Sequence, residues 1–148
     1  MTLEQNHVAD LESADHFRVC SAIKALASIN SLSERSIVRV AKCASSPILA
    51  VERSALVALA SLGSRAECVT TALVERLALR LRDAGCDYSC CGYGAFHGPI
   101  AHYIDALRAM SSIADERAFR KRIESVRVTE SDKDFIAFLV GDALAVRL

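Results

Sequence analysis

The spacing of apolar residues is what most constrains this chain. They recur at three- and four-residue intervals along nearly the whole sequence, and the period-two alternation of a half-buried strand is almost absent. Only two Pro and six Gly interrupt the pattern, and most of them sit where helices start and stop. Ser46-Pro47 and Gly98-Pro99 read as helix starts, with Pro in the first turn. Gly63 and Gly85 follow helical runs as C-terminal caps do. Ser31-Leu32-Ser33-Glu34 and Ser64-Arg65-Ala66-Glu67 fit the capping box, in which hydroxyl and carboxylate satisfy orphan backbone N–H groups reciprocally. These marks predict eight helices, over about 3–11, 15–30, 33–44, 47–62, 65–84, 99–113, 115–126 and 131–147. Most links are short, which predicts antiparallel neighbours. The long link is about 85–98.

A chain of 148 residues fits one domain, 1–148, and can support a core without disulfides or metal. Balanced charge, 18 basic against 18 acidic, with 52% hydrophobic residues rules out global disorder. No uninterrupted apolar run approaches the roughly 18 residues of a spanning helix. The start, Met1-Thr2-Leu3-Glu4-Gln5-Asn6-His7, has neither the basic end nor the apolar centre of a secretory signal, so the expected location is cytoplasmic. The 14 Arg against 4 Lys, with 24 Ala, suit a bacterial source. The absence of Trp argues against a protein that stacks bases or sugars.

The sequence also repeats itself. Ser21-Ala22-Ile23-Lys24-Ala25-Leu26-Ala27-Ser28-Ile29 matches Ser54-Ala55-Leu56-Val57-Ala58-Leu59-Ala60-Ser61-Leu62 at an offset of 33. A third copy, Ala106-Leu107-Arg108-Ala109-Met110-Ser111-Ser112-Ile113, follows, and the last helix reads as a degenerate fourth. Small Ala lets helices approach while Leu and Ile fill between them. Each copy is followed by a more charged helix. This pattern, above all Val51-Glu52-Arg53-Ser54-Ala55-Leu56-Val57-Ala58-Leu59-Ala60-Ser61-Leu62-Gly63, resembles the HEAT and armadillo-like α-solenoid repeats over about residues 15–147. The resemblance implies an all-α fold of antiparallel helix pairs stacked as a short solenoid; a compact helical bundle is the alternative. It also implies a concave surface lined by the second helices, whose usual work is binding another protein.

Two features stand out as candidate sites. The first is Gly85–Pro99, which holds Cys86, Cys90 and Cys91, Tyr88 and Tyr93, Phe96 and His97. Cys86, Cys90, Cys91 and His97 offer sulfur and imidazole ligands for a metal such as zinc, with His102 one turn further on. Cys90 or Cys91 beside His97 or His102 could instead be an activated thiol, with Asp87 or Asp105 as orienting acid. The plainer reading is an ordered loop in which Tyr88, Tyr93 and Phe96 serve as contact residues for a partner. Cys20, Cys43 and Cys68 lie in helical surroundings and read as small buried hydrophobes.

The second feature is a row of cations on the charged helices. Arg35, Arg39 and Lys42 share one helix face, Arg76, Arg80 and Asp83 repeat the spacing, and so do Arg117, Lys121 and Glu124. The Arg76 row lies at the edge of the apolar stripe of Leu73, Leu77 and Leu81. Stacked, these rows would make a basic ridge on which Arg35, Arg39, Lys42, Arg76, Arg80 and Lys121 contact an acidic patch. The functional expectation is therefore a non-enzymatic protein-binding module without cofactor, in its specific form a small inhibitor or immunity protein that neutralises a toxin domain. The alternatives are a Cys/His metal-binding protein or thiol enzyme, and a nucleic-acid-binding HEAT-like protein. The zero net charge speaks against the last.

Overall fold

A computed structural model describes residues 2–83, 99–111 and 116–145, leaving aside the side chains of 99 and 142–145. Among these residues the chain is all-α, with eight α-helices and one 3-10 helix. The helices are α1 (Leu3–Asp10), α2 (His16–Ala27), α3 (Glu34–Cys43), α4 (Leu49–Leu62), α5 (Thr70–Asp83), α6 (Pro99–Met110), α7 (Glu116–Arg122) and α8 (Glu130–Ala145). The 3-10 helix, Gly63–Val69, joins α4 to α5 without a loop.

Side chains fix the helix starts, not always where the sequence marks them. The Thr2 hydroxyl accepts from the Gln5 N–H at 3.2 Å, and the Gln5 carboxamide accepts from the Thr2 N–H at 2.9 Å, closing a capping box on α1. Asp15 caps α2 by accepting from the Phe17 N–H at 3.0 Å. For α3 the cap is Ser33, not Ser31: its hydroxyl accepts from the Ser36 N–H at 3.3 Å. For α4 the helix begins at Leu49, and Ser46 accepts from the Ile48 N–H at 3.1 Å, so Ser46-Pro47 forms a turn ahead of the helix. The Ser64–Glu67 stretch belongs to the 3-10 helix. Gly63 does end α4 as its C-cap, at φ 60°, a left-handed angle that glycine adopts without strain.

The three repeated segments lie side by side. Near the start of α2, the Cys20 thiol points at the Ala50 carbonyl near the start of α4, at 3.6 Å. Just past the ends of the same helices, Arg65 donates to the carbonyls of Ile29 and Asn30 at 3.2 and 2.7 Å. Starts therefore meet starts and ends meet ends, so α2 and α4 run parallel. The same holds for α6. Tyr103, in its second turn, reaches Glu52 near the start of α4 at 3.3 Å, while Gly63 past the end of α4 lies beside the Ala109 carbonyl. Ala22, Ala55, Ala58 and Ala106 are buried in this layer, between fully covered Leu26, Leu56, Leu59 and Leu107.

The stacked solenoid does not form. A HEAT-like unit is a hairpin whose two helices pack on each other, yet α2 scarcely touches α3 and α4 scarcely touches α5. The main contacts instead join helices that are not adjacent in sequence, α2 to α4 and α4 to α6, with α3 also against α4 and α5 against α6. The fold is thus a largely globular helical bundle around α4. The reason lies in α4 itself. Val51, Ala55, Leu56, Ala58, Leu59 and Leu62 are all buried, an apolar surface too wide for one hairpin partner to cover. That breadth also gives the unbroken run Leu49–Asp83 a window apolar enough, by length and composition, to cross a membrane, though 44% of the window is buried inside the fold.

The last two helices pack on each other most tightly at Gly141. A Cβ added there would lie 2.5 Å from Glu116 Cβ and 2.7 Å from Glu116 Cα. Carbon pairs are comfortable only near 3.5–4.0 Å, so α7 would have to move. Gly141→Ala gains about 1 kcal/mol of helix propensity but incurs an overpacking cost of about 1–3 kcal/mol. We expect a net loss of stability, read as a lower urea midpoint; an unchanged or raised midpoint would show that α7 is not held against α8 at this point.

Candidate functional site

Of the predicted cations, those on α3 stay on the surface. The inner face of α3 buries Ile37, Val40 and Ala41. The opposite face presents Arg35, Val38 and Lys42 to solvent, with Arg39 half-buried. Two clefts flank this face. One, of about 630 Å³, is lined by His16, Arg39, Lys42, Cys43 and the turn Ser46–Ile48, with Glu12 on its far side. The other, of about 480 Å³, lies between α1 and α3 and is lined by Glu4, Arg35 and Arg39 among others. Arg39 belongs to both and is tied to Glu12 by an ion pair. Arg35 and Lys42 form no ion pair among the described residues.

Helix α1 is held against α3 mainly by polar contacts, since none of its own residues is buried. Glu4 Oε1 accepts from the Ser33 hydroxyl at 2.6 Å, the Ser36 hydroxyl at 2.5 Å and the Ser33 N–H at 3.2 Å. The carboxylate thus sits at the positive end of α3. The Asp10–Arg18 pair, at 3.0 Å, and the Glu12–Arg39 pair hold the rest of this acidic segment.

The Arg76 row behaves differently. Glu52 is almost completely buried and accepts from Arg80 Nη2 at 2.6 Å. Its other oxygen lies 3.3 Å from the Tyr103 hydroxyl, whose single proton is shared between it and the Ala44 carbonyl at 3.0 Å. Arg76 is half-buried beside Tyr103. Burial lifts the Tyr103 phenol to about 12, the Glu52 carboxylate adds to the rise, and Arg76 opposes it. Arg80 therefore already serves an internal carboxylate. The third row, Arg117, Lys121 and Glu124, stays on the surface. Lys121 and Arg117 are exposed on α7, while Arg120 between them pairs with Glu130 and with Asp134. Because α3, α5 and α7 do not pack side by side, the rows do not join into one ridge.

The cysteines also depart from expectation. Cys20 and Cys43 are only partly buried and Cys68 is exposed, so none is a core residue. Burial pushes the Cys43 thiol up to about 11, with Glu12 adding to the rise, which leaves it a poor nucleophile. The loop candidates Cys86, Tyr88, Cys90, Cys91, Tyr93, Phe96 and His97 lie outside the described residues. His102 and Asp105 are on α6, where Asp105 pairs with Arg108 at 3.4 Å. Among the described residues no group of three or more His, Cys, Asp or Glu is placed to hold a metal ion. Comparison of the chain with protein-family models, with curated proteins and with solved structures gives no match.

Sequence reasoning missed two things. One is Glu52, although its spacing from Leu56 and Leu59 puts it on an apolar face. The other is a groove of about 630 Å³ between α2 and α4. Its signal was the repeat, whose serines recur at matching places.

Two outcomes follow. Tyr103→Phe removes one hydroxyl from two buried acceptors, and we expect a loss of about 1–2 kcal/mol in urea unfolding; no loss would mean that Glu52 does not depend on Tyr103. The serine donors hold the Glu4 carboxyl below its ordinary 4.5. A depressed carboxylate stabilises the folded state above its unfolded value and stops doing so as pH falls through the folded one. Hydrogen-exchange protection of α1 should therefore weaken as pH falls below 4.5 in the wild type. Glu4→Gln should flatten that profile, whereas identical profiles would assign the effect to another group.

Proposed function

We propose that this chain is a non-enzymatic binding module that takes an acidic protein surface through the outward face of α3. One observation carries the reading: Arg35 and Lys42 stand exposed on either side of the exposed Val38, free of internal ion pairs among the described residues, with a cleft on each flank. Cations around an apolar contact suit a partner that offers carboxylates around an apolar side chain, because complementary charge steers encounter and apolar burial slows release. Arg39 remains a shared wall of both clefts, oriented by Glu12. In its narrower form the reading makes the chain the inhibitor of a toxin domain that bears such an acidic patch.

The test begins with affinity capture of a partner by the tagged chain, followed by kinetics with the purified pair. Arg35→Glu with Lys42→Glu should slow association by roughly tenfold or more, and added salt should slow the wild type toward the variant. A partner whose association rate ignores both the reversal and the salt would place its contact elsewhere and sink the proposal.

A further inference from the structure

The groove between α2 and α4 is separate from the α3 face and is walled by two copies of the same sequence. Ser21 on α2 and Ser28 at its C-cap recur as Ser54 and Ser61 on α4, at the offset of 33 that relates the repeats. Since the two helices run parallel, the serines of each follow the groove in the same direction. All four serines line the groove. With Ala27 and Ala58 they give it a floor of short side chains that would let another helix come close.

Its chemistry is one-sided. Lys24 and Arg53 line opposite walls, both exposed, and neither makes an ion pair among the described residues. No carboxylate among the described residues lines the groove. The parallel pairing of Cys20 with Ala50 sets Lys24 and Arg53 at about the same level, so two positive charges face each other uncompensated. Apolar surface accompanies them. Val57 lines the groove at 51% exposure. Phe17, at 88%, lies on the same helical stripe as Ser21, Lys24 and Ser28, and Leu49, at 62%, starts α4 at the same end. Large exposed side chains gathered on one face mark interaction surfaces.

We infer that this groove docks an acidic amphipathic helix. Such a helix lays an i, i+3, i+7 apolar stripe on Val57, Ala58 and Phe17 and places carboxylates between Lys24 and Arg53. The twelve residues of α2 give the groove a length of about 18 Å, so the occupant needs about three turns. A basic or neutral helix would leave both cations unanswered.

The test is a selection on the full-length chain with a phage-displayed library of helix-forming peptides of about twelve residues. The enriched peptides should share apolar residues at helical spacing flanked by two or more carboxylates. Their affinity, by fluorescence anisotropy, should fall roughly tenfold with Lys24→Glu and Arg53→Glu together and fall again with Val57→Asp. Arg127→Glu, on the exposed turn between α7 and α8, should leave it unchanged. All these positions are exposed, and circular dichroism of each variant checks that it remains folded. Enrichment of basic or neutral peptides, failure to enrich any, or binding that survives the Lys24/Arg53 reversal overturns the inference. So does self-association of the chain that Val57→Asp abolishes, which would make a second copy the occupant. Because the Arg35 and Lys42 variants alter a different surface, this outcome and that of the α3 proposal are read independently.

Discussion

The bundle is organised around one buried carboxylate. Glu52 sits in the first turn of α4, and its two oxygens take hydrogen bonds from Arg80 of α5 and Tyr103 of α6. Tyr103 then ties the residue that ends α3 through the Ala44 carbonyl. Four helices thus meet at a single charge. A carboxylate removed from water costs several kcal/mol unless it is paired and hydrogen-bonded, so a register that separates these groups is penalised heavily. The pair adds less to net stability than its geometry suggests, because burial consumes much of the Coulomb gain. Its contribution is to choose among packings. Alanine-rich helices can slide and rotate on one another with little change in apolar burial, whereas a rotation that moved Glu52 off Arg80 would strand a charge.

That choice explains the distribution of the cations. Arg80, and beside it Arg76, is drawn toward the interior because Glu52 is there. Arg35 and Lys42 remain outside because the inner face of α3 offers Ile37, Val40 and Ala41 to the core and no acid. The same residue type at the same spacing therefore ends in two environments. On the outer side, the acidic segment Glu4–Glu12 engages the α3 cations through Glu12 alone, which pairs with Arg39, while Glu4 binds Ser33 and Ser36 and Asp10 binds Arg18 of α2. It leaves Arg35 and Lys42 exposed.

Much of this was legible in particular residues. Gly63 caps the helix that it ends, and the inward alanines and leucines of the repeats are the ones buried. The position of Arg76 at the edge of an apolar stripe already hinted at its half-buried place. Other marks misled. Ser31 has Glu34 three residues on, as a capping box requires, yet the cap is Ser33, whose hydroxyl is braced by Glu4, some thirty residues earlier in the chain. Glu52 shares its helix face with Leu56 and Leu59, but the partners that make a buried charge tolerable there, Arg80 and Tyr103, come from α5 and α6 and are not visible locally.

The sequence by itself determined that this chain is helical, roughly where each helix runs, and which face of each is apolar, because those properties follow from spacing and capping within a few residues. Tertiary structure alone decided that the repeats lie parallel in one layer of a bundle instead of stacking as hairpins. It also decided which arginines are internal and that two matched serine rows enclose a groove. These depend on which apolar face meets which, and on a single long-range carboxylate. Local periodicity is the same for a helix packed on its neighbour in sequence and for one packed on the next but one.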